Sequence, residues 1–280
     1  MHLAALFLHP VKSMRACSVV EAGVDALGLV GDRRFMVVDP SGRFLTQRAV
    51  PRLALVGTAL SDGKLSLSAA DAGALDVATA SDPSAPVCKV SIWKSEGLLA
   101  EDCGDDAAGW LSEVLATRCR LVRIGAAFRR AVRQSSVLPA SAPEPLVSFA
   151  DAFPFLVVGE ASLADLNDRL ASVGHDPVPM DRFRPNLTIA GSAPYEEDRW
   201  VRFRIGDVGF RAAGPCARCT VITTDQATGD RGPEPLRLLA TYRRGAGHST
   251  EVHFGQNLVH ENTVGTLRIG DPVTVLEAKP

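Results

Sequence analysis

The sequence predicts a β-rich α+β protein, with an N-terminal β domain, a C-terminal β-barrel and a few short helices. Three observations carry this expectation. Short β-type runs are separated by turn clusters such as Asp39-Pro-Ser-Gly42 and Ser61-Asp-Gly63. The tripeptide Ile-Gly-Asp occurs at 205–207 and again at 269–271, each time after an arginine and before a β-type run. Gly-Asp turns joining short strands suit a barrel or a curved sheet. Finally, nothing in the chain alternates strand and helix as a doubly wound sheet would.

In chain order, the first third predicts strands over Leu3–Leu8, Ser18–Val20, Phe35–Val38, Leu53–Leu60, Leu65–Leu67 and Val87–Trp93. A helix follows over Asp105–Thr117, where Ala107, Trp110, Leu111, Val114 and Leu115 share one face and two aspartates occupy the first turn. Ser135–Glu144 is rich in Ser, Pro and Ala and reads as a linker. Next come a strand at Phe155–Val158 and a helix near Ser162–Ala171, with Leu163, Leu166 and Leu170 aligned. Strands resume at Leu187–Ala190 and Trp200–Ile205, and a short helix near Pro235–Arg243 interrupts them. Phe254–Val259, Thr266–Ile269 and Val273–Leu276 close the chain. The domain division is therefore residues 1–125, a linker over 126–145, and residues 146–280.

The chain has 280 residues, 46% apolar and 22% charged, which suits a globular protein with a sizeable core. A net charge of −2 with no polybasic run excludes a general nucleic-acid or membrane-surface binder. Anion recognition, if present, must be local. Six cysteines do not make a disulfide framework, and Cys17, Cys88, Cys103 and Cys119 sit among apolar neighbours as small buried hydrophobes. The segment Met1–His9 has no basic leader and breaks at Pro10, and no later run approaches a membrane span. The expectation is a cytoplasmic protein with reduced thiols.

The chemistry-bearing feature is the pair Cys216 and Cys219 in Gly214-Pro-Cys-Ala-Arg-Cys-Thr220, with Arg218 directly before the second sulfur. A neighbouring cation favours the thiolate, the form that attacks electrophiles or binds soft metals. Half a zinc site is one alternative, but no second close pair of ligands exists, and His248, His253 and His260 are spread along a strand and its loop. A dithiol redox motif is another, but such motifs open helices, whereas Thr220–Thr224 is β-branched and favours a strand. Two inert buried cysteines remain a third reading.

Other segments have polar groups in unusual settings. In Pro10-Val-Lys-Ser13 a turn can aim an ammonium, a hydroxyl and backbone N–H groups at an anion. Arg33 enters a strand after Asp32, and Arg184 precedes Pro185 and Asn186. Taken singly, each fits a surface charge or a structural ion pair at least as well. Gly255 interrupts the apolar strand around Phe254-Gly-Gln-Asn257, marking either a bulge or close approach of a ligand or backbone. Asp151 is a turn residue or a cofactor contact, and Glu196, Glu197 and Asp198 read as a solvated acidic loop.

Together these segments resemble the MOSC superfamily, in particular members with an N-terminal MOSC-associated β domain, a group that includes amidoxime-reducing components and YcbX-type reductases. The resemblance rests on Pro10–Ser13, Gly31–Arg33, Phe44–Arg48, Pro154–Asp165, Phe183–Asn186, Cys216–Asp225, Thr228-Gly229, Pro235-Leu236 with Tyr242-Arg243, and Phe254–Asn257, running in order across most of the chain. It implies a molybdenum cofactor, a pyranopterin whose dithiolene supplies two sulfurs to the metal and a protein cysteine a third. By position, Cys219 matches that cysteine ligand. Lys12, Ser13 and Arg33 match residues holding the phosphate and pterin. Asp151, Arg184, Asn186, Ala217 and Arg218 match further cofactor-lining positions, and Asn257 stands where the animal enzymes have tyrosine. Cys219 and Asn257 are thus the expected catalytic positions, with Arg218 helping to keep the Cys219 sulfur deprotonated and Cys216 a structural thiol.

The implied activity is reduction of N-hydroxylated compounds by oxygen-atom transfer to Mo(IV). Unlike YcbX-type proteins, the sequence shows no four-cysteine iron–sulfur spacing. The expected partners are therefore a small N-hydroxylated substrate and a separate ferredoxin- or flavoprotein-type electron donor, with neither nucleic acid nor membrane. A non-catalytic carrier of the cofactor, and a sulfur-transfer module using a Cys219 persulfide, are the alternative readings.

Overall fold

A computed structural model describes residues 1–133, 144–245 and 250–280. The linker expected over Ser135–Glu144 lies outside them except for Glu144, and so does His248. The first half forms β1 (His2–Leu8), β2 (Cys17–Val19), β3 (Glu21–Asp25), β4 (Gly28–Leu29), β5 (Phe35–Val38), β6 (Gly57–Ser61), β7 (Lys64–Ala69), β8 (Gly73–Ala78), β9 (Val87–Ile92), β10 (Ser95–Asp102), α1 (Asp105–Leu115) and β11 (Arg120–Arg123). The second half forms β12 (Phe155–Gly159), α2 (Glu160–Ser172), β13 (Leu187–Ala190), β14 (Trp200–Ile205), β15 (Val208–Arg218), α3 (Leu236–Tyr242), β16 (Val252–His260), β17 (Gly265–Arg268) and β18 (Val273–Ala278). The protein is β-rich α+β, as the turn-punctuated runs predict.

An eight-stranded sheet in the order β18-β14-β15-β16-β12-β13-β1-β2 dominates the second half. Its inner face buries Leu3, Leu6, Phe155, Phe203, Phe210 and Leu258 in one core. On the other face, α2 and α3 lay Leu166, Leu170 and Leu239 over Val158 and Phe254. In the first half, α1 sets Ala107, Leu111 and Leu115 against Leu65, Leu67 and Leu121. Each such leucine contributes about 2 kcal/mol by leaving water. The predicted helical face of α1 is the buried one.

Strand pairing crosses the division read from the sequence. β1 pairs with β13, and β17 pairs with β3, so the first thirty residues are woven into the C-terminal half. As a result, the turn after β1 and the segment before β12 meet at one place. The other element joining distant parts is β12–α2–β13, a parallel crossover in an otherwise antiparallel sheet. This single unit, whose two strands and helix the sequence pattern predicts, does not make a doubly wound sheet. Its helix is needed because parallel neighbours cannot be joined by a tight turn.

Three further expectations are corrected. The strand over Leu53–Leu60 begins only at Gly57, because Pro51 starts a 3-10 turn over Pro51–Leu55 that buries Leu53 and Ala54. Thr220–Thr223 is a 3-10 turn rather than a strand, closed by Thr223 Oγ1 donating to Thr220 O at 2.9 Å while Ile222 is buried. The acidic run at 196–198 is not a solvated loop. Glu197 is fully buried and accepts from Gly159 N at 3.1 Å and Ser162 Oγ at 2.8 Å, while Asp198 pairs with Arg243. A carboxylate there satisfies the N–H of Gly159, the residue that caps α2, and the Ser162 hydroxyl in its first turn. Burial raises the Glu197 carboxyl above its ordinary range.

Candidate functional site

The turn after β1 delivers the first cation. Lys12 N donates to Phe35 O at 2.8 Å, which fixes the turn, and Ser13 takes a left-handed conformation at φ 69°. The Lys12 ammonium is then held inside the protein. It donates to Phe149 O at 2.9 Å and to the Asp151 carboxylate, and lies 5.3 Å over the Phe44 ring. Loss of water lowers Lys12 to about 8, although Asp151 pulls the other way. The surrounding protein opposes charge on Asp151, yet Lys12 and the Trp93 N–H outweigh that and hold it below the usual carboxylate range.

Arg33 and Arg184 form a second cationic layer. Both are left-handed, at φ 49° and 54°, a conformation that costs about 1–3 kcal/mol for a residue with a side chain and clusters at functional sites. Arg33 Nη1 reaches Asp32 Oδ2 at 2.5 Å and Asn186 Oδ1 at 3.1 Å. Arg184 Nη1 donates to Met14 O at 2.7 Å. Burial, then repulsion from Arg33, lowers Arg184 to about 9. Asn186 spends its amide on the protein itself, since Oδ1 also accepts from Leu156 N at 3.3 Å and Nδ2 donates to Phe7 O at 3.3 Å. It acts here as a brace for Arg33.

The two cysteines have different surroundings. Cys216 lies in β15, where bulges at 212–214 and 215–217 twist the strand against β16. Cys219 directly follows that strand, caps the 3-10 turn and is exposed. Arg218 donates to Cys216 Sγ at 2.9 Å and to Phe183 O at 2.7 Å. The cation on Cys219 is Arg48, whose Nη1 lies 3.2 Å from Sγ. The expectation that Arg218 attends Cys219 is thus corrected. Neighbours along an extended backbone point to opposite faces, so the adjacent arginine turns away while a distant one arrives. Arg48 stacks 4.5 Å over the Trp93 ring, and Trp93 Nε1 donates to Asp151 Oδ1 at 3.1 Å.

Asn257 faces the same space from β16 and donates to Pro215 O at 3.3 Å. Gly255 is required because a Cβ there would stand 2.7 Å from Val157 O, so the close approach is to backbone. Lys12, Ser13, Arg33, Asp151, Arg184, Asn186, Ala217, Arg218, Cys219 and Asn257 all line one cavity of about 350 Å³. Arg48 also lines it, and Trp93 packs behind Arg48. Sequence reasoning assigned neither a role. Arg48 does lie in a segment that carries the family resemblance, but Trp93 left no signal.

The donor set selects the kind of group this cavity suits. Among the described residues, no three His, Cys, Asp or Glu side chains cluster to hold a metal ion. A metal near Cys219 would therefore need most of its ligands from an organic carrier. Among the described residues, Lys12, Arg33, Arg48, Arg184 and Arg218 line the cavity with Asp151 and Glu251, a basic excess in a chain of net charge −2. That excess suits a phosphorylated, polar carrier. The residues present fit a pterin-borne metal.

A family model for the MOSC N-terminal beta barrel domain matches residues 1–118, and one for the MOSC domain matches residues 144–274. The chain is 38% identical to mitochondrial amidoxime-reducing component 1 of Mus musculus, covering 98% of this chain and 82% of that protein. The Homo sapiens counterpart is 35% identical over the same shares. Molybdenum cofactor sulfurase of Danio rerio is 32% identical over 93% of this chain but only 32% of its own length. Among the described residues no helix is long and apolar enough to cross a membrane.

Proposed function

This chain belongs to the MOSC family, and from that premise we propose that it is a molybdenum-cofactor-dependent reductase of N-hydroxylated compounds. A separate redox protein of the ferredoxin or flavoprotein type supplies the electrons, in the cytoplasm. The observation that carries the reading is the exposed Cys219 thiol at a cavity where cations from both halves of the chain converge. The similarity to amidoxime-reducing components over nearly the whole chain supports the reaction class.

In this reading Lys12, Ser13, Arg33 and Arg184 hold the cofactor's phosphate and pterin. Asp151 keeps Lys12 charged and oriented, Asn186 holds Arg33 in place, and Ala217 and Arg218 form the wall leading to the sulfur. Cys219 is the protein ligand to molybdenum, and Asn257 lines the substrate side. When bound, the cofactor supplies two-electron redox chemistry and an acceptor for the substrate oxygen. For an amidoxime, the N–O bond breaks, two electrons and two protons enter, and an amidine and water leave. The Lys12, Arg33 and Arg184 side chains are already held by hydrogen bonds within the protein, so little ordering remains when the cofactor arrives.

The test uses molybdenum-loaded protein, a chemical reductant and benzamidoxime. Formation of benzamidine supports the reductase. No product from fully loaded protein would instead identify a carrier, which needs the same clamp but no open substrate position. A sulfane sulfur on Cys219 in molybdenum-free protein would identify a sulfur-transfer module.

A further inference from the structure

We propose that Arg48, braced by Trp93, is a positioning residue for Cys219, so that a cation from the N-terminal half of the chain sets the surroundings of the functional sulfur. The inference rests on reading Cys219 as the cofactor-facing thiol. Its support is geometric. Arg48 Nη1 lies 3.2 Å from Cys219 Sγ although the residues are 171 positions apart. The same guanidinium stacks 4.5 Å over Trp93, whose ring meets Phe44 edge-on at 5.0 Å.

Trp93 itself is held in an unusual way. It sits at the tip of the β9–β10 hairpin with φ 52°, and 49% of its surface is exposed. A left-handed tryptophan costs free energy and leaves apolar surface in water, so surrounding contacts must hold it there. Those contacts are the Arg48 face, the Phe44 edge and the hydrogen bond from Nε1 to Asp151 at 3.1 Å. Asp151 in turn is the partner of Lys12. One hairpin tip thus orients both the cation on the sulfur and the carboxylate on the phosphate-side lysine. A guanidinium stacked on an aromatic face keeps its N–H groups in a fixed plane, which sets their direction toward the sulfur. Once Cys219 is a metal ligand, a donor on its sulfur is the kind of outer contact that orients ligands and tunes a metal.

The test is alkylation of Cys219 in cofactor-free full-length protein, followed by peptide mass spectrometry. In each reaction the sulfur forms a C–S bond, iodide leaves and the thiol proton passes to buffer. Iodoacetate and iodoacetamide are compared at one pH, so the thiolate fraction cancels from the rate ratio. That ratio then reports the positive charge at the sulfur. Arg48→Gln is expected to lower the iodoacetate-to-iodoacetamide ratio at Cys219 by about fivefold. Arg48→Lys should retain most of it, Trp93→Leu should lose part of it, and the ratio at Cys88 should not move.

An unchanged ratio in Arg48→Gln would overturn the proposal. So would equal acceleration of both reagents, which marks a loosened seam and no directed charge. If Arg48→Gln fails to fold, the wild-type ratio at Cys219 must still fall with added salt, because the charge is screened. A salt-independent ratio also overturns it. Because no cofactor is present, failure here leaves the reductase reading standing, and failure of that reading leaves this ratio intact.

Discussion

Gln47 and Gln226 form a reciprocal amide pair across 179 residues. Gln47 Nε2 donates to Gln226 Oε1 at 2.9 Å, and Gln226 Nε2 returns a bond to Gln47 Oε1 at 3.1 Å. Their remaining N–H groups go to Ser13 O at 2.8 Å and Thr224 O at 3.0 Å. Both side chains are buried. The pair ties the segment carrying Arg48 to the turn after β1 and to the segment that follows Cys219. Satisfied amides in a low-dielectric setting specify one arrangement, since any slip strands several polar groups.

Removing one partner should therefore cost more than removing both in proportion. Gln226→Leu is expected to lower stability by about 1–3 kcal/mol, the cost of a stranded buried group. The Gln47→Leu/Gln226→Leu double variant should lose clearly less than the two single losses added together. Urea unfolding of the four proteins in the cycle measures this. Strict additivity would mean that the two amides do not act as a unit.

The cation cluster predicts a pH dependence whose sign follows from burial. Lys12 is lowered from 10.5 to about 8, so the folded chain releases this proton before the unfolded chain does. The unfolded chain then binds more protons between those values, and the cofactor-free protein gains stability as pH rises from about 8 toward 10.5. Over the step near 8 the same group ceases to attract anions. Inorganic phosphate should raise the melting temperature at neutral pH and lose this effect as pH passes about 8. In Lys12→Met the melting temperature should respond weakly to phosphate at every pH.

Glu197 offers a stability test remote from the cavity. Glu197→Ala leaves Gly159 N and the Ser162 hydroxyl without their acceptor and is expected to cost about 2–4 kcal/mol in urea unfolding. Glu197→Gln keeps the shape and should cost much less. Because burial raises this carboxyl, its protonated form favours the fold. The resulting stability is present below 4.5 and lost as pH rises through the folded value. Glu197→Gln should remove that loss.

Gly255→Ala tests the strand that carries Asn257. Its Cβ would meet Val157 O at 2.7 Å and Val158 Cγ2 at 2.8 Å, at a φ of +77°. Backbone cannot yield as a flexible side chain does, so the loss should exceed about 2 kcal/mol in the same unfolding assay. A neutral outcome would show that β12 and β16 are not in close contact there.

What the sequence revealed and what it hid follow from range. Local pattern placed α1 and most strands, because the spacing of Ala107, Leu111 and Leu115 records the buried face directly. The family resemblance, more than local chemistry, singled out the ten expected site residues, since an alanine such as Ala217 carries no signal of its own, and the fold brings all ten to one cavity. What escaped depends on partners far along the chain. Arg48 meets Cys219 only because strand pairing weaves the two halves together, and no local spacing encodes that. Glu197 looks solvated beside Glu196 and Asp198, yet β12 and α2 supply its donors from 35 and 38 residues away. Thr220–Thr223 misled in the other direction. Its β-branched residues favour a strand, but burial of Ile222 and the Thr223 side-chain bond won.

The most direct measurement is the molybdenum and pterin content of the wild type, Cys216→Ala and Cys219→Ala, each purified from a cofactor-competent host. A single protein ligand at Cys219, with Cys216 held aside by Arg218, predicts stoichiometric metal in the wild type and in Cys216→Ala. Cys219→Ala should lose the metal and all benzamidoxime reduction. Wild type without molybdenum, or Cys219→Ala matching it in metal and activity, would contradict the assignment of Cys219 as the metal's ligand.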